Sequence, residues 1–150
     1  MEMNYFDSML RAKKEYARVL DPICKEWNMT RNELDVLLFL ANNPGYDRAA
    51  DIVSRRGIAK SHVSLSVGNL ESRGLLARRF TPEDRRTVRL ELTDEAEKII
   101  QEGRQAQQDF FSRLFHGLSR KELAQYQAIV MKICANLAKM ETENGECVSG

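Results

Sequence analysis

The stretch from residue 47 to residue 92 constrains the fold more tightly than any other part of the chain. It predicts two short helices, one near Ala49 to Arg55 and one from about Lys60 to Arg73, with Gly57 supplying a tight turn between them. The second helix has apolar side chains at i, i+4 and i+7 spacing, as expected of a helix with one buried face: Val63, Val67 and Leu70. The two helices and their turn predict a helix-turn-helix.

A β-hairpin is predicted directly after these helices. Apolar and polar residues alternate over residues 87–92, which is the period of a half-buried strand. Leu76 to Phe80 is the expected partner strand, and Thr81 to Arg86 form the loop between them. A helix-turn-helix followed by a basic hairpin is a winged helix, a fold that commonly binds duplex DNA. We therefore predict a mainly α-helical fold with a small β-hairpin wing.

Charge is distributed unevenly along the 150 residues. The net charge of the whole chain is only +1, which by itself does not indicate a nucleic-acid partner. The segment from Arg48 to Arg89 holds ten basic and four acidic residues, a net charge of +6, so the remainder carries −5. A basic module on an acidic body is the pattern expected of a protein that binds phosphate with one part of its surface. Ordinary solvated charge is the alternative, but the winged-helix pattern in the same segment favours DNA.

Helices are also predicted on both sides of the winged helix. An amphipathic helix spans about residues 5–20 and ends before Pro22, and a capping box at Thr30 and Glu33 starts a second helix. On the other side, Thr93 is expected to cap a long helix that reaches about residue 115. A second capping box, at Ser119 and Glu122, starts a last helix that reaches about residue 140. From periodicity alone, such terminal helices either complete the core of the monomer or pair with a second copy of the chain.

Three motifs resemble the MarR family of bacterial transcriptional regulators. They are KSHVS opening the second helix of the helix-turn-helix, LESRGLL closing it, and PEDRR followed by LELTDEA across the hairpin. The resemblance covers nearly the whole chain and implies a single domain, 1–150, whose DNA-binding lobe spans about residues 30–92. It implies that residues 4–20 and 93–140 are dimerisation helices, and we expect residues 141–150 to be a flexible tail.

The resemblance implies a ligand-responsive repressor that binds a near-palindromic site on double-stranded DNA as a homodimer. The second helix of the helix-turn-helix is called the recognition helix, and a two-fold dimer presents two such helices to successive major grooves. One alternative is a winged-helix module that binds an acidic protein instead of DNA. Another is a thiol-based redox-sensing regulator, because some relatives sense oxidants through a cysteine in the first helix. Here Cys24 is expected to lie just beyond that helix.

The recognition helix carries the first group of predicted DNA-binding residues. Ser61, His62 and Ser64 occupy its first turns, where side chains reach base edges. Lys60 is better placed for phosphate, and Leu65 is placed to touch a thymine methyl group. Each of these assignments follows from position along the helix.

The wing and the preceding helix carry the second group of predicted DNA-binding residues. We expect Arg85 to enter the minor groove, with Asp84 beside it to orient the arginines. The alternative for this pair is an exposed salt bridge of little energetic value. Arg55, Arg56 and Arg86 are predicted to contact phosphate or to bridge between groups.

The recognition helix departs from the family pattern in two ways. Many relatives carry basic residues midway along it, where this chain has Leu65 and Asn69, so we expect the wing to supply more of the affinity. Ala59 stands where a serine or threonine cap is expected, which predicts a loosely fixed helix start.

An effector pocket is a further implication of the resemblance. MarR-like regulators commonly bind small aromatic or phenolic anions in a crevice between the dimerisation helices and the DNA-binding lobe. Tyr16, Trp27, Met29 and Phe39 are the predicted wall residues of such a crevice. Aromatic and methionine side chains at these spacings are more often core residues.

Other classes of function find no support in the sequence. There is no phosphate-cradling glycine loop and no nucleophile motif, so we do not expect an enzyme. Two distant histidines and three cysteines without a CxxC pair predict neither a metal site nor a cofactor, and Cys134 is expected to be buried. No apolar run approaches 18 residues and no signal-peptide layout is present, which predicts a cytoplasmic protein without a membrane partner.

Overall fold

The computed structural model describes residues 4–146, with side chains described as far as residue 143. The chain forms two compact units, and the boundary follows Phe110. Elements of the first unit are α1 (Tyr5–Glu26), α2 (Arg31–Asn42), α3 (Ala49–Arg56), α4 (Lys60–Ser72), β1 (Leu76–Thr81), β2 (Asp84–Leu92) and a short 3-10 turn (Asp94–Ala96). Helix α5 (Glu97–Leu114) begins in this unit, and α6 (Arg120–Glu146) belongs to the second.

Helix α1 is longer than the sequence predicts. It was expected to end at about residue 20, before Pro22, but it continues through the proline to Glu26. Proline removes one intrahelical hydrogen bond and usually ends or kinks a helix. Here Leu20, Ile23 and Cys24 are buried on both sides of it, so packing against the core outweighs the lost bond. Cys24 therefore lies inside α1 and not beyond it.

Helix α2 forms the centre of the core. Its start is fixed by the predicted capping box, in which the Glu33 amide donates to the Thr30 hydroxyl at 3.1 Å and the Thr30 amide donates to the Glu33 carboxylate at 3.1 Å. Nearly every position that follows is buried, on more than one side of the helix: Leu34, Val36, Leu37, Leu38, Phe39 and Leu40. A helix that is apolar all round is one that is surrounded by other elements.

The helix-turn-helix has the predicted form. Gly57 ends α3 in the left-handed conformation, with φ of 64°, which favours glycine. The apolar face of α4 is buried, since Val63, Val67 and Leu70 are each no more than 3% exposed. Ala59 precedes α4 without a side-chain cap, as the sequence predicts.

The hairpin differs from the prediction in the length of its loop. Strands β1 and β2 are antiparallel, and β2 begins at Asp84, so only Pro82 and Glu83 lie between the strands. Phe80 pairs with Val88, but Thr81 pairs with Asp84, which leaves residues 85–87 as a bulge. The predicted loop, Thr81 to Arg86, is thus a tight turn followed by a bulged strand.

The start of α5 depends on a long-range contact. Thr93 was expected to cap this helix, but its hydroxyl instead donates to the carbonyl of Gly74. Further along, Gly103 lies against Leu38 of α2, where a Cβ atom would come within 2.6 Å of the leucine side chain. Glycine in a helix interior costs about 1 kcal/mol relative to alanine, and here it permits close packing of α5 on α2.

In the second unit a local cap fixes the start of α6. The predicted capping box is present, with the Ser119 amide donating to the Glu122 carboxylate at 2.7 Å and the Glu122 amide to the Ser119 hydroxyl at 3.2 Å. Helix α6 continues to Glu146 and not to about residue 140, so part of the predicted tail is helical. The end of that tail, residues 147–150, lies outside the described residues. None of the helices in the described part of the chain is long and apolar enough to span a membrane.

Candidate nucleic-acid interface

The outer face of α4 carries the predicted base-reading side chains. Ser61, His62, Ser64 and Leu65 are all exposed, on the opposite side of the helix from its buried apolar face. Leu65 is 63% exposed. Apart from Lys60 at its first position, this face is neutral and mostly able to form hydrogen bonds. Such a face can read base edges but contributes little electrostatic attraction.

The wing tip is organised around Asp84. Its carboxylate accepts a hydrogen bond from the Thr87 hydroxyl and another, at 3.0 Å, from the amide of Arg86. These bonds favour the ionised form and lower the pKa of Asp84 below its ordinary value. Asp84 was expected to orient the arginines directly. Instead it holds the backbone of the bulge from which Arg85 and Arg86 project.

Ion pairs divide the basic residues of this segment into two sets. The paired set has carboxylate partners within the chain: Arg73 with Glu33, Arg78 with Glu71, Arg79 with Glu91, and Arg89 with Asp47. The other set has no ion pair with any residue in the described part of the chain: Arg48, Arg55, Arg56, Lys60, Arg85 and Arg86. All five basic residues predicted to bind DNA fall in the second set.

Arg48 is the member of that set that sequence reasoning did not assign to the interface. It is exposed at the N-cap of α3, next to Asp47, whose carboxylate and carbonyl bond to strand β2 of the wing. The signal that could have identified it is its position at the N-terminus of the first helix of the helix-turn-helix, where helices approach phosphate.

Two hydrogen bonds join the start of the helix-turn-helix to the wing. The Asp47 carboxylate accepts a hydrogen bond from Arg89 at 2.7 Å, and the Asp47 carbonyl accepts another from the Leu90 amide at 2.7 Å. Both contacts connect the loop before α3 to strand β2. They hold the wing in register with the helices that precede it.

A cavity of about 420 Å³ lies beside α1, α2 and α3, on the side of Arg55 and Arg56. Its wall also includes Tyr16, Arg31 and Asp35. The guanidinium of Arg31 lies 4.9 Å from the Tyr16 ring centre, and that of Arg56 lies 5.3 Å from the Phe39 ring centre. Basic groups outnumber acidic ones in this wall, so the cavity favours an anionic occupant.

The four predicted pocket residues do not line one cavity. Tyr16 lines the cavity just described, whereas Met29 borders a separate cavity of about 350 Å³. Phe39 is 1% exposed and is a core residue. Trp27 borders neither cavity, and its indole N–H donates to the Glu102 carboxylate at 2.7 Å. Periodicity located these residues near the core but could not show which of them face open space.

The described cysteines occupy contrasting environments. Cys24 is buried, and burial raises the pKa of its thiol while the nearby charge of Arg31 partly opposes this. A raised pKa reduces the thiolate fraction and with it the reactivity toward oxidants. Cys134 was expected to be buried, but it is exposed, as are most described residues of α6. Among the residues that the structure describes, no group of three potential ligands could hold a metal ion.

Family comparison identifies this arrangement. The model of the MarR family matches residues 27–87, from the residue after α1 into the wing. Through this segment the chain is similar to the MarR family. The predicted winged-helix fold is confirmed, with its mainly helical composition and its two-stranded wing.

Solved structures of other proteins share the fold. A putative MarR family regulator from Listeria monocytogenes, solved with a 26mer DNA, is 17% identical, with a TM-score of 0.79 over 93% of this chain and 91% of that one. BpsR of Bordetella bronchiseptica, whose DNA binding is regulated by 6-hydroxynicotinic acid, is 22% identical, with a TM-score of 0.66 over 87% and 98%. CouR of Rhodococcus jostii, bound to p-coumaroyl-CoA, is 18% identical, with a TM-score of 0.70 over 88% and 91%.

Proposed function

We propose that this protein is a transcriptional repressor that binds a near-palindromic DNA site as a homodimer and is released by a small anion. The observation that carries the DNA-binding part is the combination of a neutral α4 face with the unpaired Arg85 and Arg86 at the wing tip. The Listeria relative solved with DNA supports the same reading.

In this proposal α4 enters the major groove. Ser61, His62 and Ser64 contact base edges there, while Leu65 packs on a thymine methyl group. Arg85 enters the adjacent minor groove, and Asp84 keeps the bulge that presents it. Lys60, Arg48 and Arg86 contact phosphate, and Arg55 and Arg56 lie close enough to the turn before α4 to join them.

The decisive experiment selects duplexes from a random DNA library with the purified protein and sequences the retained molecules. A two-fold symmetric motif with half-sites about one helical turn apart supports a dimeric reader. Retention without a motif would show that the protein binds only the DNA backbone. No retention would favour the alternative in which the basic wing binds an acidic protein.

The homodimer part of the proposal is supported by apolar side chains that the chain leaves exposed. On α1 these include Tyr5, Phe6 and Leu10, and Phe6 is 80% exposed. On α6 no described side chain is buried, and the exposed apolar side chains are Tyr126, Ile129, Met131, Ile133, Leu137 and Met140. Many exposed apolar side chains on one helix are typical of an interface.

Truncation after Leu118 tests the dimer. This change removes α6 and its apolar face, so we expect the product to be monomeric by sedimentation equilibrium, while the full chain is dimeric. Truncation after residue 146 is the matched control and should leave the dimer intact. A dimeric product of the shorter truncation would show that α6 is dispensable for association.

Response to a small aromatic anion is supported by the basic cavity and by two relatives, BpsR and CouR, whose structures concern aromatic acids or their thioesters. Binding of benzoate, measured by calorimetry, is the test. Arg56→Ala removes a cavity arginine that has no ion pair among the described residues, and it should weaken binding by about tenfold, as expected for loss of a charge-assisted hydrogen bond. The control is Arg18→Ala, which removes an exposed arginine of α1 that does not border the cavity. Equal binding by both variants would place the effector elsewhere.

A further inference from the structure

Asn69 lies on the recognition helix, where many relatives are expected to carry a basic residue. It is an exposed residue, but its side-chain amide is bonded to a buried carboxylate of the protein. Its amide Nδ2 donates to Oε1 of Glu33, on α2, at 3.0 Å. The residue is therefore not an unused position on the DNA-facing helix. It ties the C-terminal half of α4 to the start of α2.

Glu33 is a buried carboxylate with partners on both oxygens. It is 5% exposed. While Oε1 accepts the hydrogen bond from Asn69, Oε2 accepts one from the Thr30 amide at 3.1 Å and lies 3.9 Å from Nη1 of Arg73. A buried charge is costly unless it is paired and hydrogen-bonded, so breaking any of these contacts would destabilise the folded protein.

Arg73 connects the end of α4 to the turn between α1 and α2. Its guanidinium donates to the carbonyl of Trp27 at 2.6 Å and to the carbonyl of Asn28 at 3.1 Å. Asn28 has a φ of 47°, a left-handed conformation that non-glycine residues rarely adopt. Arg73 thus fixes the end of α4 to a turn that has one specific backbone conformation.

We propose that Glu33, Asn69 and Arg73, together called the α4 clasp, are positioning residues that set the angle of the recognition helix for DNA reading. This inference rests on the proposed function, in which the first turns of α4 read bases. The clasp touches no base itself. It acts on the far end of the helix that carries Ser61, His62 and Ser64.

The hydrogen bonds of the clasp add a directional constraint to the apolar packing of α4. Hydrophobic packing through Val63, Val67 and Leu70 is not directional, whereas hydrogen bonds to a fixed carboxylate are. Ser61 lies eight residues from Asn69, about 12 Å along the helix at roughly 1.5 Å per residue. A tilt of about 10° at Asn69 would move Ser61 by roughly 2 Å, enough to break a base-edge hydrogen bond.

Asn69→Ala is the first test, with Ser72→Ala as the matched control. Among the described residues, the Ser72 hydroxyl donates to the carbonyl of Gly68 within α4 and makes no bond to α2. The measured quantity is the ratio of affinities for the selected operator and for a scrambled duplex. We expect Asn69→Ala to lower this ratio about tenfold and Ser72→Ala to change it less than about twofold.

A second test exchanges the donor and the acceptor of the bond between Asn69 and Glu33. If the bond positions α4, the exchange should restore the affinity ratio, whereas a contact that only stabilises the fold would leave this ratio unchanged throughout. In Glu33→Gln the Thr30 amide holds the remaining carbonyl oxygen, so the new NH2 group faces the Asn69 donor and the ratio should fall as it does in Asn69→Ala. Adding Asn69→Asp restores a donor–acceptor pair, and it places the negative charge on α4 four residues before Arg73. The double variant should recover the ratio to within about threefold of wild type.

Arg73→Ala keeps the proposal testable if a change at buried Glu33 prevents folding, because the Arg73 side chain is 36% exposed. It should lower the ratio about threefold by freeing the Trp27 and Asn28 carbonyls. Unchanged ratios in folded variants, with only a lower melting temperature, would overturn the clasp and leave DNA recognition standing. A wild-type protein without sequence preference would overturn both proposals.

Discussion

The outer face of α4 and the tip of the wing offer DNA two different surfaces. The α4 face is neutral beyond Lys60, whereas the wing tip projects two arginines that have no ion pair among the described residues. Hydrogen-bonding side chains in a major groove read bases, and guanidinium groups are attracted to any phosphate or to a narrow minor groove. We infer that α4 supplies most of the selectivity and the wing most of the affinity.

The same contrast exists within the wing itself. Arg78, Arg79 and Arg89 project from its strands, and each is neutralised by a carboxylate of the chain. Arg85 and Arg86 project from the bulge, where the nearby carboxylate of Asp84 is occupied by a backbone amide and a hydroxyl. Counting basic residues therefore overstates the charge available to phosphate. The arrangement of the acids decides which arginines remain available.

Replacement of the tip arginine is expected to have the largest effect. Arg85→Ala should weaken operator binding by roughly tenfold or more, and it should reduce the slope of log K against log salt by about 1. Fluorescence anisotropy over a salt series, with circular dichroism to confirm folding, measures both quantities. A loss below about twofold would remove the wing from the mechanism.

Arg78→Ala is the matched control for that prediction. It removes an equal charge from the same hairpin, but one that is bound to Glu71 at 2.7 Å. Affinity should change less than about twofold, because the guanidinium of Arg78 is already bound to Glu71 and its loss reaches DNA only as long-range charge, which salt screens. Equal losses in the two variants would show that overall charge, and not the position of the arginine, governs binding.

Replacement of a base-reading side chain should have a smaller effect of a different kind. His62→Ala is expected to cost about fivefold in operator affinity, as for loss of about one hydrogen bond, with relaxed preference at one base position in each half-site. The salt slope should stay constant. Library selection with the variant tests this, and an unchanged motif would remove His62 from base contact.

Features that depend on local sequence were predictable, and those that depend on distant partners were not. Both capping boxes, at Thr30 and at Ser119, are present as predicted because each involves residues three positions apart. The buried and exposed faces of α4 follow equally from spacing along one helix. By contrast, the passage of α1 through Pro22 depends on burial of Ile23 and Cys24 by other elements.

The candidate site shows the same division. Its exposed residues on α4 and its tip arginines could be named from motif and position. Pairing of Arg89 with Asp47 joins residues 42 positions apart, and Asn69 reaches Glu33 across 36 positions. Neither partner is visible in a pattern of hydrophobicity or charge. The predicted pocket residues do not share one cavity for the same reason, since a cavity is defined by the elements around it.

The smallest effect is expected at Asp84, where two contributions oppose each other. Asp84→Ala loosens the bulge that presents Arg85 and Arg86, but it also removes a negative charge close to phosphate. We expect the first to dominate and binding to weaken by about threefold, since two hydrogen bonds are lost. Tighter binding by the variant would show that the carboxylate only repels DNA. Asp84 would then have no role in positioning the tip arginines.

The pH dependence of the wing tip sharpens that contrast. The bonds from Thr87 and from the Arg86 amide hold the pKa of Asp84 below its ordinary value. A carboxylate with a lowered folded-state pKa contributes stability above the unfolded pKa and loses it as the pH falls through the folded value. Order at the wing tip should thus be constant at neutral pH and decline only in acid. NMR titration of the Arg86 amide, against an unfolded peptide of residues 80–89, should give the lower midpoint in the protein. Equal midpoints would mean that Asp84 does not organise the bulge, and the two arginines would then project from a flexible loop.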